Sequence, residues 1–172
     1  RFAMQPRWLI TSTCVISRVN RVFLATSGIF AALIMFVILQ DVVRRYVLND
    51  PSSWVLDICS FMLVYAFFLA LAPTLEAGGH VSVDLFNKVL PNRLQGGIFL
   101  FGGVLTVFFG VVLFITLLDE TLEAFADDNV FPASTIPMKM KFIWMIGPVG
   151  TAQFILTTLV LLCSQIYQRK EA

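Results

Sequence analysis

The sequence predicts an all-α membrane protein with four transmembrane helices, and two observations carry that prediction. First, 58% of the residues are apolar and only 13% are charged, against about a quarter in ordinary soluble domains; the mean hydropathy is +0.86. Second, the few charges leave four long uncharged stretches, each at or above the ~18 residues that mark a helix able to cross a ~30 Å hydrocarbon core. So few charges could not cover this chain in water, and lipid is therefore the solvent for most of it.

The uncharged stretches contain 19, 18, 25 and 27 residues, in the order 22–40, 58–75, 94–118 and 142–168. Within a single four-helix domain over 1–172, they predict spans at approximately 22–40, 54–75, 94–118 and 142–168. At 1.5 Å per residue the third and fourth stretches are roughly 37 and 40 Å long. They exceed the bilayer, so we expect these helices to tilt or to protrude.

Lysine and arginine are distributed unequally over the predicted loops. Eight lie in the N-terminal segment, the second loop and the C-terminus: Arg1, Arg7, Arg18, Arg21, Lys88, Arg93, Arg169 and Lys170. The first and third loops hold four: Arg44, Arg45, Lys139 and Lys141. Because positively charged short loops stay in the cytoplasm, we predict that both termini are cytoplasmic (N-in, C-in).

The first connection continues the first helix and then stops it. Asp41 lies at helical spacing from both Arg44 and Arg45 and is placed to pair with either. The segment 49–53 (Asn-Asp-Pro-Ser-Ser) combines capping residues with a proline suited to a first helical turn, which predicts a helix end and a new start.

The second connection is predicted to contain a short amphipathic helix in the membrane interface, between the second and third spans. Its polar residues recur at helical spacing: His80, Asp84, Asn87 and Lys88. Residues 81–85 also alternate like a strand, which leaves that alternative open. The third connection is predicted to begin as an acidic extension of the third helix and to break at Pro132 and Pro137.

Composition and residue inventory exclude several functions. The high apolar content does not fit a soluble enzyme or a disordered chain. A nucleic-acid binder does not fit either, since a net charge of +1 supplies no basic stripe. His80 is the single histidine, so no pair of axial ligands for haem exists. The three cysteines, Cys14, Cys59 and Cys163, are far apart in the sequence, and we expect them to be small apolar side chains in the helices. No catalytic motif is present, and we expect no metal or cofactor. A small multidrug exporter does not fit either, because the first span has no carboxylate.

Ionisable residues are nearly absent from the spans, which argues against a transport pathway built from this chain alone. Asp57 is the exception, about one turn inside the second span. Together with Trp54 it opens that helix, where tryptophan suits the headgroup level and a carboxylate suits the positive end of the helix dipole. This pair is a candidate interface, although a generic helix start explains it equally.

Small residues recur along the third helix in two registers. Gly102, Thr106 and Gly110 are four residues apart, and Gly96, Gly103 and Gly110 are seven apart. In lipid, such spacing lets another helix backbone approach closely. The stripe predicts close packing, either inside the chain's own bundle or against another membrane protein.

Four short motifs follow one another in a recognisable order: Asp41-x2-Arg44-Arg45-Tyr46, Pro51-x2-Trp54-x2-Asp57, Gly79-His80-Val81-x2-Asp84, and Leu90-Pro91. In order and spacing they resemble the small membrane subunit of TRAP (tripartite ATP-independent periplasmic) transporters, the DctQ-like family. The motifs cover about residues 40–91, and the number of spans extends the likeness over the chain. One departure is Asp57, where the family more often has Glu; the charge is kept and its reach shortened.

The resemblance implies a role, partners and a location. TRAP systems import organic acids with a sodium gradient, and a periplasmic substrate-binding protein delivers the substrate. The large membrane subunit holds the substrate and sodium sites and moves as an elevator. The small subunit wraps around the scaffold of the large subunit. It implies a multi-pass protein of the bacterial inner membrane, surrounded by lipid, with no nucleic-acid partner. The candidate interface residues are then Arg44, Arg45, Trp54, Asp57, His80, Asp84, Gly102, Thr106 and Gly110.

Two other functions remain open from the residues alone. One is a standalone four-helix transporter or channel that works as a homodimer through its glycine face. The other is a tetraspan assembly protein without a transport partner. No feature of the sequence identifies a substrate. Because the first residue is Arg1, we expect a few residues to precede it, and the long first apolar run predicts that no cleavable signal peptide is present.

Overall fold

The computed structural model describes residues 7–50, 52–77, 92–127 and 139–170. They form five helices: α1 (Arg7–Val47), α2 (Val55–Glu76), α3 (Asn92–Asp127), α4 (Met140–Trp144) and α5 (Ile146–Lys170). Four segments are long and apolar enough to span a membrane: Thr11–Val47, Val55–Glu76, Phe101–Ala126 and Lys141–Ser164. For the described residues, the prediction of an all-α fold with four helices long and apolar enough to span a membrane is thereby confirmed. The interfacial helix predicted from His80 and the breaks at Pro132 and Pro137 lie outside the described residues, and the N-in, C-in orientation stays a prediction.

The helix bounds differ from the predicted spans in two ways. α1 begins well before residue 22, and α3 continues through the acidic residues to Asp127, as the predicted extension requires. The fourth span, predicted as one helix over 142–168, is interrupted at Met145 between α4 and α5. Pro148 explains the break, because proline has no N–H to donate to the carbonyl of Trp144 four residues earlier.

α1 and α2 form an antiparallel pair, which four contacts define along their length. As residue numbers rise on α1 they fall on α2: Asn20 meets Glu76, Ser27 meets Ala66, Phe30 meets Tyr65, and Asp41 meets Ser52 just before α2. The Ser27 hydroxyl donates to the Ala66 carbonyl at 2.8 Å. The Phe30 and Tyr65 rings lie 5.5 Å apart.

α5 packs between α2 and α3. It runs antiparallel to α3, with Leu162 near Gly103, Ile155 near Gly110, and Trp144 of α4 near Thr121. It runs parallel to α2, whose Phe68 lies against Gly150. A Cβ on Gly150 would come within 2.5 Å of the Phe68 carbonyl oxygen, so only glycine fits this approach.

The spanning helices follow one another as a row, in the order α1, α2, α5, α3. α1 contacts α2 and, less extensively, α5, whereas α3 contacts only α5 and α4 among the described helices. A row leaves two broad faces uncovered, and large apolar side chains such as Met35 (73% exposed) and Phe101 (71% exposed) lie on them. Such exposure is expected where lipid is the solvent.

Candidate functional site

The corner between α1 and α2 is built around Asp41, which is only 8% exposed. One carboxylate oxygen accepts a hydrogen bond from the Arg45 guanidinium at 3.0 Å, and the other accepts from the backbone N–H of Ser52 at 3.1 Å. Arg44 instead pairs with Asp50. Of the two pairings open to Asp41 in the sequence, the structure therefore contains the one with Arg45. A buried carboxylate bonded on both oxygens fixes the angle at which the chain enters α2.

Trp54 and Asp57 lie at the start of α2, as predicted. Trp54 directly precedes the helix, is partly buried, and makes no side-chain capping bond. Asp57 is the acidic residue of the first turn, where the positive end of the helix dipole favours a carboxylate.

The small-residue stripe of α3 is divided between two environments. A Cβ on Gly110 would lie 3.0 Å from Ile155 Cγ1, and one on Gly103 would lie 2.1 Å from Leu162 Cδ2, so these two glycines face α5. Nothing lies within 4 Å of a Cβ on Gly102. The Thr106 hydroxyl donates to the Gly102 carbonyl of its own helix at 2.9 Å. Gly103 and Gly110 of the seven-residue register thus pack inside the chain, and Gly102 is open.

A polar network that the sequence analysis missed joins α1, α2 and α5. Asn20 is 1% exposed, and its amide nitrogen donates to Glu76 Oε2 at 2.6 Å and Thr157 Oγ1 at 3.2 Å. Its amide oxygen accepts from Gln153 Nε2 at 2.9 Å. Both amide hydrogens and one oxygen lone pair of Asn20 are thereby used. We call Asn20, Glu76, Gln153 and Thr157 the Asn20 network.

The network was missed because two of its members lie just outside the predicted spans. Asn20 lies next to Arg21, in the segment that flanks the first uncharged stretch, and Glu76 follows the last uncharged residue of the second stretch. The available signal was the seven-residue spacing of Asn20 and Ser27, which places both on one face of a helix. Both are buried against the neighbouring helices.

Two further hydroxyls hold the break between α4 and α5. The Tyr65 hydroxyl of α2 donates to the Phe142 carbonyl. The buried Thr121 hydroxyl of α3 lies 2.6 Å from the Leu117 carbonyl oxygen of its own helix and 3.1 Å from that of Trp144. The Trp144 carbonyl is the one that Pro148 leaves without its helical donor, and the single Thr121 O–H, shared with the nearer Leu117 carbonyl, replaces the missing N–H only in part.

An apolar groove of about 730 Å³ separates α2 from α3, with Phe154 of α5 among its lining residues. Its other walls include Phe67, Leu71, Leu105 and Phe109. The hydroxyls of Thr74 and Thr106, which also line it, donate to carbonyls of their own helices. The groove therefore presents apolar surface and no free hydroxyl.

The candidate residues that the structure describes do not come together in one place. His80 and Asp84 lie outside the described residues, and the other candidates are separated between the α1–α2 corner and the α3 stripe. Among the residues that the structure describes, no three His, Cys, Asp or Glu side chains lie together where they could hold a metal ion. What the described residues offer is a set of packed helices with broad, exposed apolar faces.

Comparison with known proteins identifies the family. The family model described as "Tripartite ATP-independent periplasmic transporters, DctQ component" matches residues 34–168, well over half of the chain. No curated protein and no solved structure gives a significant match. The matched range includes the motifs between Asp41 and Pro91 and continues through α3 and α5, so the predicted resemblance is confirmed. The chain belongs to the family of DctQ components, the small membrane component of tripartite ATP-independent periplasmic transporters.

Proposed function

We propose that this chain is the accessory small subunit of a sodium-driven, binding-protein-dependent transporter that imports organic acids. Its task is to hold the large transport subunit in the bilayer, while substrate and sodium bind elsewhere. Family membership supports the place in a TRAP system; the coupling ion, the substrate class and the scaffold role are our proposal.

The observation that carries the scaffold role is the open row of helices. A transport subunit carries its substrate between elements that surround a polar site near the midplane, commonly at broken helices. Among the described residues, α3 touches neither α1 nor α2, so the row encloses no central path. At the broken helix, the hydroxyls of Tyr65 and Thr121 already bind the carbonyls of Phe142 and Trp144.

The proposed partners are the large membrane subunit, along the row, and the periplasmic binding protein, on the side of the acidic extension of α3. This arrangement requires both termini to be cytoplasmic. A cysteine at position 129 should then react with an impermeant maleimide added outside intact cells, while one at position 168 should react only after the membrane is opened. The reverse labelling pattern contradicts the proposed orientation.

Assembly tests the proposal directly. The tagged chain should purify together with a co-expressed large membrane subunit from the same transport system, and both should elute in one peak in mild detergent. A small subunit that purifies without the large one, as a homodimer, would instead favour the standalone transporter or channel.

A further inference from the structure

Glu76 lies beside the middle of α5, although it follows the last uncharged residue of its own span. It binds Asn20, which in turn binds Gln153 and Thr157 of α5. The uncharged stretch 142–168 continues for eleven residues on either side of this contact. A ~30 Å hydrocarbon core covers about 20 residues of the stretch and includes the contact wherever it is placed along it. The Glu76 carboxyl group is therefore at a depth where an ion is rare and costly.

No cation pairs with the Glu76 carboxyl group among the residues that the structure describes. Arg18 and Arg21 of α1 are both exposed, and they lie on other faces of that helix than the one carrying the Asn20 network. Neither forms an ion pair with Glu76. α5 and α2 have no further charged residue at this height, and His80 lies outside the described residues. A carboxylate here would have to be stabilised by neutral groups alone.

The buried hydroxyl of Thr157 shows a second difficulty with an ionised Glu76. Thr157 is 1% exposed, and its oxygen accepts from Asn20 Nδ2 at 3.2 Å. Its own hydrogen then has no acceptor within the described part of the chain. The neighbouring hydroxyls of Thr151 and Thr158 each donate to a carbonyl of their own helix at 2.8 Å. A buried donor without an acceptor is destabilising, so this arrangement of hydrogens is unfavourable.

Turning two amide groups gives the Thr157 hydroxyl an acceptor without moving any other heavy atom. Half a turn of an amide exchanges its oxygen and its nitrogen, which have nearly the same size. With Asn20 and Gln153 both turned, Asn20 Oδ1 accepts from the Thr157 hydroxyl across the 3.2 Å contact. Asn20 Nδ2 donates to Gln153 Oε1 across the 2.9 Å contact. The third contact, of 2.6 Å, then joins Asn20 Oδ1 to a Glu76 oxygen, and two oxygens attract only if one of them carries a hydrogen.

The length of this contact favours an O–H donor. Hydrogen bonds from nitrogen to oxygen are about 2.7–3.2 Å long, and those between two oxygens about 2.5–3.0 Å. The 2.6 Å contact between Asn20 and Glu76 lies within the second range and below the first. We propose that Glu76 is a proton-binding site, whose carboxyl group is protonated at neutral pH and donates a hydrogen bond to Asn20 Oδ1. The inference concerns this chain alone and does not depend on the proposed function.

The bound proton makes the contact among α1, α2 and α5 sensitive to pH. Glu76 is partly exposed, so at high pH its proton leaves to water. The resulting carboxylate only accepts hydrogen bonds, so Asn20 turns its nitrogen toward Glu76 and the Thr157 hydroxyl loses its acceptor. Because Asn20 joins α1 to both α2 and α5, loss of the proton weakens the packing of all three helices.

Infrared spectroscopy of the reconstituted chain tests the protonation of Glu76. The chain is measured at pH 7 in vesicles of ether-linked phosphatidylcholine, whose lipids have no ester carbonyl. A protonated carboxyl group then absorbs above the amide band, where a carboxylate does not. The unmodified chain should show this band, and raising the pH should remove it. Labelling the side-chain carboxyl of glutamate with ¹³C should move the band to lower wavenumber, which separates glutamate from aspartate.

Two substitutions assign the band to Glu76. Glu76→Gln is a neutral mimic that keeps a hydrogen-bond donor toward Asn20, and it should lose the band. Glu123→Gln, at an exposed position of α3, is the matched control and should retain it. If Glu76→Gln does not fold, Glu76→Asp in the labelled chain should lose the isotope-sensitive band instead. Absence of the band from the unmodified chain at pH 7, or its persistence without Glu76, overturns the proposal.

Discussion

The two halves of the row are held together by different interactions. α1 and α2 are joined by directional bonds at three heights: Asp41 to the Ser52 N–H, Ser27 to the Ala66 carbonyl, and Asn20 to Glu76. α3 and α5 are joined by close packing, at Gly103, Gly110 and Gly147. In lipid the hydrophobic effect does not favour helix association, so polar bonds and close packing are the two available means. The α1–α2 pair should tolerate changes in side-chain volume and lose stability when a hydrogen-bonding atom is removed. The α3–α5 pair should lose stability when volume is added and should be less sensitive to the loss of a hydrogen bond.

Enlarging a packed glycine of α3 should have the largest effect. In Gly110→Leu, the new side chain starts 3.0 Å from Ile155 Cγ1 and forces α3 away from α5, which should cost about 1–3 kcal/mol of unfolding free energy. Thermal unfolding in detergent should show a fall of several degrees, at about 2–4 °C per kcal/mol for a chain of this size. Gly102→Leu is the matched control, because nothing lies within 4 Å of its Cβ. Equal unfolding temperatures for the two variants would contradict the packing difference.

Removing the centre of the Asn20 network should come next. Asn20→Leu keeps a similar volume but leaves Glu76 and Gln153 without their bonds to Asn20. At about 0.6 kcal/mol for an average interhelical bond in a membrane, three bonds amount to about 2 kcal/mol. Chemical unfolding in mixed micelles measures the change. Thr26→Val serves as the control, since the Thr26 hydroxyl binds a carbonyl of its own helix. If both substitutions cost the same, the network does not join the helices.

The charge of Asp41 should contribute about 1 kcal/mol, the upper end of the range for an ion pair with an exposed partner, because the Arg45 side chain is 56% exposed. Asp41→Asn retains an oxygen for the Ser52 N–H and removes the carboxylate that binds Arg45. The same change at Asp50, whose side chain is 64% exposed in its pair with Arg44, should cost about 0–0.5 kcal/mol. Unfolding of the two variants side by side decides the matter, and a larger loss at Asp50 contradicts the assignment.

The smallest effect is expected at the helix break. Thr121→Val removes the hydroxyl that binds the Trp144 carbonyl and should cost about 0.5–1 kcal/mol. Amide hydrogen exchange should increase around Met145 and leave the middle of α1 unchanged. Thr116→Val, where the exposed hydroxyl binds only the Val112 carbonyl of its own helix, should change neither. Unchanged exchange at Met145 in Thr121→Val would show that Pro148 alone shapes the break.

The helices could be predicted well because charged side chains are costly in hydrocarbon, so the charged residues mark the limits of each span. The same reasoning misassigned Asn20 and Glu76, since it treats the end of an uncharged stretch as the end of the buried region. In the structure these ends lie beside the middle of α5, because neighbouring helices are displaced along their axes. Relative height depends on contacts between distant segments, such as Thr121 with Trp144, and no local pattern encodes it.

Spacing also identified the small residues of α3 without separating their roles. Gly102 and Gly103 are adjacent in the sequence and face different surroundings. Because α3 turns by about 100° at each residue, residues four apart and residues seven apart both lie close to one face of the helix. Spacing alone therefore allows either set of small residues to form the packing face. Only the position of α5 shows that Gly103 and Gly110 are occupied and that Gly102 is open.

The central claim is that this chain assists transport without carrying substrate, and reconstitution tests it most directly. Proteoliposomes containing the chain alone, given a sodium gradient and the binding protein loaded with its organic acid, should take up no more substrate than protein-free liposomes. Adding the large subunit should produce uptake that collapses when the sodium gradient is removed. Sodium-driven uptake by this chain alone would contradict the account and would make it a transporter in its own right.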